Sequence, residues 1–203
     1  MRRGIGAVLL LAAALQGGCA TTPPSNLDNS CAIFREKDDW YSAVEDSYKK
    51  WGVPPQVQLA IIYQESRFRY DAKPPRDTLL WVIPWFRKSS AYGYAQVKDD
   101  TWDWYKEKTG NSGADRDDFE DAVDFIGWYG NQAHKMLGIS KWDAYRQYLA
   151  YHEGIGGYKA GTYRKKRWLV AVAHKVEARA RTYGAQLRRC KDELDSGWHL
   201  WPF

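Results

Sequence analysis

Apolar residues recur at spacings of three and four along most of this chain, and this periodicity constrains its fold more than any other feature. Trp40, Val44, Tyr48 and Trp51 form one such stripe, and Gly52 follows them as a helix stop. No segment shows sustained alternation with a period of two, which is the pattern of a half-buried strand. The sequence therefore predicts an all-α domain.

Further helices are predicted downstream of this first stripe. Pro55 is expected to open the second helix, and Thr101 is expected to cap a short third one. A last long helix is expected over residues 169–187, where apolar residues have near-heptad spacing. Two further helices are expected between the third helix and this last one. Gly138 is expected to end the first of them, and Gly154, Gly156 and Gly157 are expected to end the second. Residues 73–90 contain three prolines and are predicted to be an irregular loop.

The N-terminus has the features of an export signal. Three residues that include two arginines precede an apolar stretch at 5–15, and two glycines then precede Cys19. This pattern is typical of a lipoprotein signal peptide, in which cleavage leaves Cys19 as a lipid-modified first residue. Gln16 departs from that pattern, because leucine is expected three residues before the cysteine. The alternative is an ordinary secretory signal with a chance cysteine, and either signal exports the chain.

The chain length allows one domain between two short terminal segments. We expect a signal peptide at 1–18, a lipidated terminus with a flexible tether at 19–30, one domain at 31–190 and a C-terminal tail at 191–203. Alanine rather than aspartate follows Cys19, which favours the outer membrane over the inner one. The expected location is therefore the periplasmic face of the cell envelope, with a lipid anchor in the membrane.

The other two cysteines are predicted to form a disulfide. In an oxidising compartment, Cys31 and Cys190 would tie the first ordered residues to the end of the last helix. Closing so long a loop contributes on the order of 4 kcal/mol. A metal site is not expected, because two isolated cysteines without nearby histidines lack the spacing of ligands.

Composition narrows the range of partners. Without the leader, the chain carries 28 basic and 25 acidic residues. This mild positive excess suits a polyanionic cell wall or a membrane surface, and it is too dispersed to indicate nucleic acid. The 11 tryptophans are expected mostly in the core, although exposed aromatic rings in a groove would suit the flat faces of sugars.

A candidate acid lies at the end of the second predicted helix. Ile61 and Ile62 precede Glu65 by about one turn, so the carboxyl emerges beside an apolar surface. Desolvation there would raise the pKa of Glu65 above its ordinary value and keep a proton available near neutral pH. Gln64 and Ser66 are polar neighbours that could orient the carboxyl. Glu65 alone is a weak signal, since a glutamate near a helix end is usually solvated.

Two later segments make that signal specific. Gly93-Tyr94-Ala95-Gln96 combines a glycine that permits close backbone approach with an amide side chain, and Ala150-Tyr151-His152-Glu153-Gly154 follows. Together with Glu65-Ser66 they resemble, in order, the three motifs of the soluble lytic transglycosylase family, which is related to goose-type lysozymes. The resemblance covers roughly residues 50–175. It implies a lysozyme-like helical domain with a substrate groove.

The resemblance also implies a role for each matched residue. Glu65 would be the catalytic acid and base, and Ser66 would position the acid and the substrate. Gln96 and Tyr151 would line the sugar subsites, with Tyr151 close enough to Glu65 to form a hydrogen bond with it or with the substrate. The further residues expected at the substrate are Gln64, Tyr94, Asp124 and His152.

Three of these positions depart from the family pattern. Tyr94-Ala95 replaces Leu-Met, which changes packing more than chemistry. Asp124 stands where the family has an asparagine on a helix. His152 replaces another family asparagine, which changes the substrate contacts expected there.

The family reaction requires one carboxyl and no cofactor. Glu65 would protonate the oxygen between N-acetylmuramic acid (MurNAc) and N-acetylglucosamine (GlcNAc) in peptidoglycan. It would then take the proton of the C6 hydroxyl, which attacks C1 and forms a 1,6-anhydro end. Glycosidases that use water or a protein nucleophile need a second carboxylate.

Other functions stay open from the sequence. Glu153 could activate water, which would make the protein a lysozyme-type hydrolase. The groove could instead bind peptidoglycan without cleaving it, although binding does not need a desolvated Glu65. His152-Glu153 resembles the start of a zinc-protease motif, but that motif's second histidine is missing. Trp81 and Trp85 in the 73–90 loop could wall a sugar groove or stack beneath it, and the chain is expected to be a monomer.

Overall fold

The computed structural model describes residues 22–74, the backbone of residues 76–79 and 83–87, and residues 89–196. In these ranges, helices account for most of the chain, as the all-α prediction requires. They are α1 (Ser30–Glu36), α2 (Asp38–Trp51), α3 (Pro55–Ser66), α4 (Asp99–Thr109), α5 (Phe119–Leu137), α6 (Ala144–Ala160) and α7 (Arg167–Asp195). A short 3₁₀ helix at Thr162–Lys165 joins α6 to α7.

Short polar residues and glycines set most of the helix ends. Asp118 caps α5 and Asp143 caps α6, each by accepting a hydrogen bond from the backbone N–H three residues later. Left-handed glycines end four of the helices, and they are Gly52, Gly110, Gly138 and Gly161. The predicted stops at Gly52 and Gly138 and the predicted start at Pro55 are therefore confirmed.

Two predicted helix boundaries are wrong. Thr101 does not cap α4 but lies inside it, because two aspartates at 99 and 100 already occupy the first turn, where negative charge is favourable. Gly154 does break the helical path of α6, with φ 75° and ψ 162°. Gly156 and Gly157 do not end the helix, because helical backbone resumes after Gly154 and continues as far as Ala160. A glycine within a helix costs only about 1 kcal/mol, which the packing of α6 can offset.

The predicted irregular loop at 73–90 is also wrong in part. Strands β1 (Arg76–Leu79) and β2 (Ile83–Arg87) pair antiparallel, with an irregular register between Arg76 and Thr78. Pro84 lies in β2, where its missing N–H is tolerated because each strand of a two-stranded sheet has a free edge. Trp81 lies outside the described residues, and so does the side chain of Trp85.

The core is built around aromatic side chains of α2, α4 and α5. Trp40 stacks on Phe119 with the ring centroids 3.7 Å apart, and Trp128 lies against Tyr105 at 5.4 Å. Among the seven tryptophans whose side chains are described, five pack in or against the core, as predicted; the other two are Trp142 and Trp168, which are exposed. Face and edge contacts of this kind add to the free energy of burial.

The two ends of the domain meet at α1 and α7. Cys31 and Cys190 form the predicted disulfide, with the Cα atoms 6.2 Å apart. The described part of the predicted tether is not free. Arg179 donates to the Asp28 carboxylate at 2.8 Å, and the Ser25 hydroxyl donates to Glu36 at 2.7 Å, so residues from 25 onwards lie against the domain.

The C-terminal boundary also lies later than predicted. Helix α7 runs through Asp195, which accepts hydrogen bonds from the Tyr41 hydroxyl and from Lys191, so residues 191–195 belong to the helix rather than to a tail. In the described part of the chain, no helix combines the length and apolar character needed to cross a membrane.

Candidate active site

A cavity of about 380 Å³ opens between α3, α5, α6 and the segment before α4. All three sequence motifs contribute to its walls. The lining side chains that matter most here are Glu65, Gln96, Phe125, Tyr129, Tyr151 and His152. The helical packing therefore brings together residues that lie as far apart as 65 and 152 in the sequence.

Glu65 lies in the last turn of α3, and the helix ends in two residues with left-handed backbone. Arg67 and Phe68 both have left-handed backbones, with φ of 51° and 59°. This conformation is strained for residues other than glycine, and it persists only where packing compensates. The fully buried Phe68 ring lies 5.8 Å from the ring of Trp40, which supplies that packing. The strain ends α3 immediately after Glu65 and Ser66.

The pKa of Glu65 is raised, as its apolar neighbours in the sequence predict. Burial raises its pKa to about 7, and a hydrogen bond with the Tyr148 hydroxyl offsets part of this increase. Burial and the nearby Glu65 in turn raise the pKa of Tyr148, so its hydroxyl remains a donor at neutral pH. A carboxyl that titrates near pH 7 can give up a proton and take one back with comparable ease.

Gln96 is positioned by a tightly packed turn. Its amide nitrogen donates to the carbonyls of Ala72 at 2.7 Å and Gly93 at 2.9 Å, so the amide oxygen is the atom it can offer to a substrate. Gly93 has φ 75°, and a Cβ there would lie 1.9 Å from the carbonyl oxygen of Arg116. The close backbone approach expected of this glycine is therefore confirmed.

Tyr151 and Tyr148 lie on the same face of α6, and both interact with Glu65. The Tyr151 hydroxyl donates to the carbonyl of Ala95, and this bond ties α6 to the turn that carries Gln96. The hydrogen bond to Glu65 comes instead from Tyr148, one turn earlier on the same helix. None of the three sequence motifs contains Tyr148. Its spacing of three residues from Tyr151 was the available signal.

Among the described residues, four of the predicted substrate contacts do not line this cavity. Ser66 is buried, and its hydroxyl donates to the carbonyl of Ile62 at 3.2 Å. Tyr94 is buried with its ring 5.4 Å from that of Phe119. Gln64 faces a different cavity, between α3 and α7, because adjacent helix residues point about 100° apart.

Asp124, the fourth of these residues, joins three helices instead. It accepts hydrogen bonds from the Trp51 indole of α2 and from the Tyr105 hydroxyl of α4, each at 2.7 Å. Lys50 adds an ion pair at 3.0 Å. Its carboxylate is thus occupied by structural partners.

Glu153 is the second carboxylate among the described residues that line the cavity, and it is heavily engaged. It accepts hydrogen bonds from Lys166 at 2.7 Å and from the Thr162 hydroxyl, and the His152 ring lies 3.2 Å away. Burial alone would raise the pKa of Glu153, but these three contacts outweigh it and the pKa is lowered. Glu153 therefore holds α6 to the 3₁₀ helix and α7.

The described residues contain no group of three or more histidine, cysteine, aspartate or glutamate side chains arranged to hold a metal ion. The cavity instead combines one carboxyl of raised pKa with tyrosine hydroxyls, an amide oxygen and aromatic walls. This set can transfer protons and hold a neutral, polar polymer such as a glycan.

The sequence profile of the transglycosylase SLT domain family matches residues 7–190, which is most of the chain. No curated protein matches the sequence. The profile match and the convergence of the three motifs on one cavity agree with each other. The chain therefore belongs to the transglycosylase SLT domain family, whose helical, lysozyme-like enzymes act on peptidoglycan.

Proposed function

We propose that this protein is a lytic transglycosylase that cleaves the MurNAc–GlcNAc bond of peptidoglycan without water, with Glu65 as both acid and base. The observation that carries the proposal is the raised pKa of Glu65, to about 7, inside a cavity that the other two motifs also line. A group of that pKa suits both proton transfers of the reaction.

In the first step, protonated Glu65 donates its proton to the glycosidic oxygen. The bond between that oxygen and C1 of MurNAc breaks, its electron pair stays with the oxygen, and GlcNAc leaves with a free hydroxyl. The positive charge on C1 is stabilised by the acetamido group of the same MurNAc. The hydrogen bond from Tyr148 stabilises the Glu65 carboxylate that this step produces.

In the second step, the Glu65 carboxylate takes the proton of the C6 hydroxyl of MurNAc. The oxygen of that hydroxyl forms a bond to C1, which closes the 1,6-anhydro ring. Glu65 is protonated again and ready for another cycle. The atoms balance without water.

The contacts of Glu153 favour this route over hydrolysis by a lysozyme-type mechanism. A general base for water needs a carboxylate that can accept a proton readily. Glu153 has a lowered pKa and is already paired with Lys166 and Thr162. We assign it a structural role.

Gln96 and Tyr151 are proposed to shape the sugar subsites around Glu65. The Gln96 amide oxygen would accept a hydrogen bond from the substrate, whereas the partly buried Tyr151 would act through packing and through its bond to Ala95. His152 lines the cavity with its side chain one-third exposed, so it is the residue through which this chain would differ from family members that carry asparagine there.

Glu65→Gln tests the proposal most directly. The variant should lose release of soluble muropeptides from purified sacculi by at least about a thousandfold, while it still sediments with sacculi. Glu107→Gln makes the same chemical change at an exposed position of α4 and should behave as wild type. Turnover by Glu65→Gln at the wild-type rate would overturn the assignment of Glu65.

Mass spectrometry of the products separates the two reactions. Anhydro ends are lighter than reducing ends by one water, so a wild-type digest should contain anhydro-muropeptides as its main products. A digest dominated by reducing ends would establish hydrolysis and exclude the transglycosylase reaction. Loss of all turnover in a Glu153→Gln variant that still folds would also support hydrolysis, with Glu153 as the base.

The place of the enzyme in the cell envelope is part of the proposal. We assign a lipid on Cys19 and attachment to the periplasmic face of the outer membrane, with the enzyme acting as a monomer. Cys19 lies outside the described residues. Incorporation of labelled palmitate by the wild type but not by Cys19→Ser would support the anchor, and equal labelling of the two would contradict it.

A further inference from the structure

Trp168, in the first turn of α7, presents an exposed indole next to the cavity. Its side chain is 57% exposed, whereas the following residue, Leu169, is fully buried. Burying a large aromatic side chain is favourable, so an exposed indole that a ligand can cover is a source of binding free energy.

Contact with His152 connects Trp168 to the cavity. The centroids of the two rings lie 5.2 Å apart, with the ring planes at 80° to each other. His152 lines the cavity that contains Glu65. The two rings therefore form a corner that extends the aromatic wall of the cavity outwards to α7.

The backbone around this corner is firmly held. Lys166 pairs with Glu153 at 2.7 Å, and the Thr162 hydroxyl donates to the same carboxylate, which is only 3% exposed. These bonds fix α6, the 3₁₀ helix and the start of α7 relative to one another. Trp168 thus begins from a preorganised position, which reduces the entropy lost when a ligand binds.

We propose that Trp168 and His152 form a further subsite that binds a pyranose ring of the glycan strand beyond the residues that are cleaved. The C–H groups on one face of a pyranose are weakly positive and pack on the electron-rich face of an indole. The His152 ring supplies a polar group for a hydroxyl or acetamido substituent of the same sugar.

The surrounding charge suits peptidoglycan more than a neutral glycan. Arg164, Lys165, Lys166 and Arg167 directly precede Trp168 in the sequence. Lys166 is paired with Glu153, and Arg164 lines another cavity with Tyr158 and Tyr163. Arg167, the residue before Trp168, is the one that adds positive charge next to the subsite. The stem peptides carried by MurNAc residues bear carboxylates, which this charge would attract.

The inference rests on the proposed function, and a binding experiment without turnover tests it separately. In a Glu65→Gln background, affinity is measured for peptidoglycan glycan strands of about four and about eight sugars, with stem peptides removed to isolate ring stacking. Trp168→Ala should weaken binding of the longer strand on the order of tenfold and leave the shorter strand nearly unchanged. Trp168→Phe, which keeps an aromatic face, should recover part of the loss.

Trp142→Ala is the matched control. Trp142 is 63% exposed, but it lines a different cavity, between α2 and α7. Its removal should leave the affinity for both strands unchanged, and thermal melting should show that each variant is folded. Equal binding of the longer strand by Trp168→Ala and its parent would overturn the subsite alone. Failure of the parent to bind either strand would overturn the subsite and the proposed function together.

Discussion

The carboxyl of Glu65 owes its pKa of about 7 to a balance between burial and one hydrogen bond. Burial favours the neutral acid, whereas the Tyr148 hydroxyl favours the carboxylate that the reaction forms. Glu65 therefore keeps its proton near neutral pH because its carboxylate is disfavoured by burial. The hydrogen bond from Tyr148 still stabilises that carboxylate enough for the proton to pass to the substrate. This balance should be visible in both the stability and the rate.

Glu65→Gln should stabilise the protein at alkaline pH and not at acid pH. In the folded protein the pKa is about 7, against an ordinary value of 4.5. The folded state therefore holds a proton that the unfolded state releases, and stability falls as pH rises through this window. The penalty reaches up to about 3 kcal/mol above pH 7, and glutamine removes it.

Urea denaturation of wild type and Glu65→Gln at acid, neutral and alkaline pH measures this penalty. The two proteins should have similar free energies of unfolding at pH 4, and the variant should be more stable at pH 8. Glu107→Gln serves as the exposed control. A stability gain for Glu65→Gln that does not change with pH would contradict a raised pKa.

Tyr148→Phe should shift the pH–rate profile to higher pH. Without the hydroxyl, burial acts on Glu65 unopposed and its pKa increases further. The alkaline limb of kcat/KM, where the acid is lost, should move upwards, and kcat should fall about tenfold because the carboxylate intermediate loses a hydrogen bond.

Tyr145→Phe is the control for this change, since Tyr145 lies on the same helix but stacks on His174 at 4.5 Å. Its pH–rate profile should match that of the wild type. An alkaline limb that stays in place in Tyr148→Phe would show that Tyr148 does not set the pKa of Glu65.

At the scale of elements, the cavity depends on how the turn at 93–96 is seated between its neighbours. The backbone N–H of Gly93 donates to the carbonyl of Ala72 at 3.0 Å, and that of Tyr94 donates to the carbonyl of Arg116 at 3.1 Å. Tyr151 then ties α6 to Ala95. These backbone contacts set the position of Gln96. They require glycine at position 93, because any side chain there would collide with the backbone of Arg116.

Gly93→Ala should be far more damaging than Gly110→Ala. Both glycines have left-handed backbones, with φ of 75° and 73°, but a Cβ at 93 would lie 1.9 Å from the Arg116 carbonyl oxygen and one at 110 would have no neighbour within 4 Å. Gly110→Ala should cost about 1 kcal/mol of stability, and Gly93→Ala about 3 kcal/mol or more.

Chemical denaturation and steady-state kinetics separate these effects. Gly93→Ala should also raise KM, because displacement of the turn moves Gln96, whereas Gly110→Ala should leave KM unchanged. Similar losses of stability in the two variants would contradict this, because they would show that backbone strain, and not the contact with Arg116, accounts for the loss in Gly93→Ala.

At the scale of the whole molecule, the two ends of the domain are joined where α1 and the residues before it contact α7. The disulfide joins Cys31 to Cys190 across 159 residues of sequence. Ser30 and Asp28 add hydrogen bonds to α7 beside it. None of these residues lines the cavity with Glu65, so closure and catalysis should be separable.

The double variant Cys31→Ser, Cys190→Ser should lose about 4 to 5 kcal/mol of stability, because the unfolded chain gains the freedom that a long loop otherwise removes. Its kcat/KM at room temperature should remain near the wild-type value. Reductant should destabilise the wild type and leave the double variant unaffected. A loss of activity without a loss of stability would instead connect the disulfide to the site.

Local spacing was sufficient to predict much of this protein. The helical class, the stops at Gly52 and Gly138 and the start at Pro55 follow from side-chain periodicity and backbone preference, which act over a few residues. The apolar neighbours of Glu65 likewise indicated the direction of its pKa shift, which the structure confirms.

Tertiary packing decided which side chains meet. Tyr148 forms the hydrogen bond with Glu65, Asp124 binds neighbouring helices, and Gln64 faces another cavity. The direction in which a side chain points depends on how α3, α5 and α6 are rotated against one another, and that rotation is set by the whole core. Sequence alone therefore identified Glu65 as the candidate acid, while only the folded chain determined its partners.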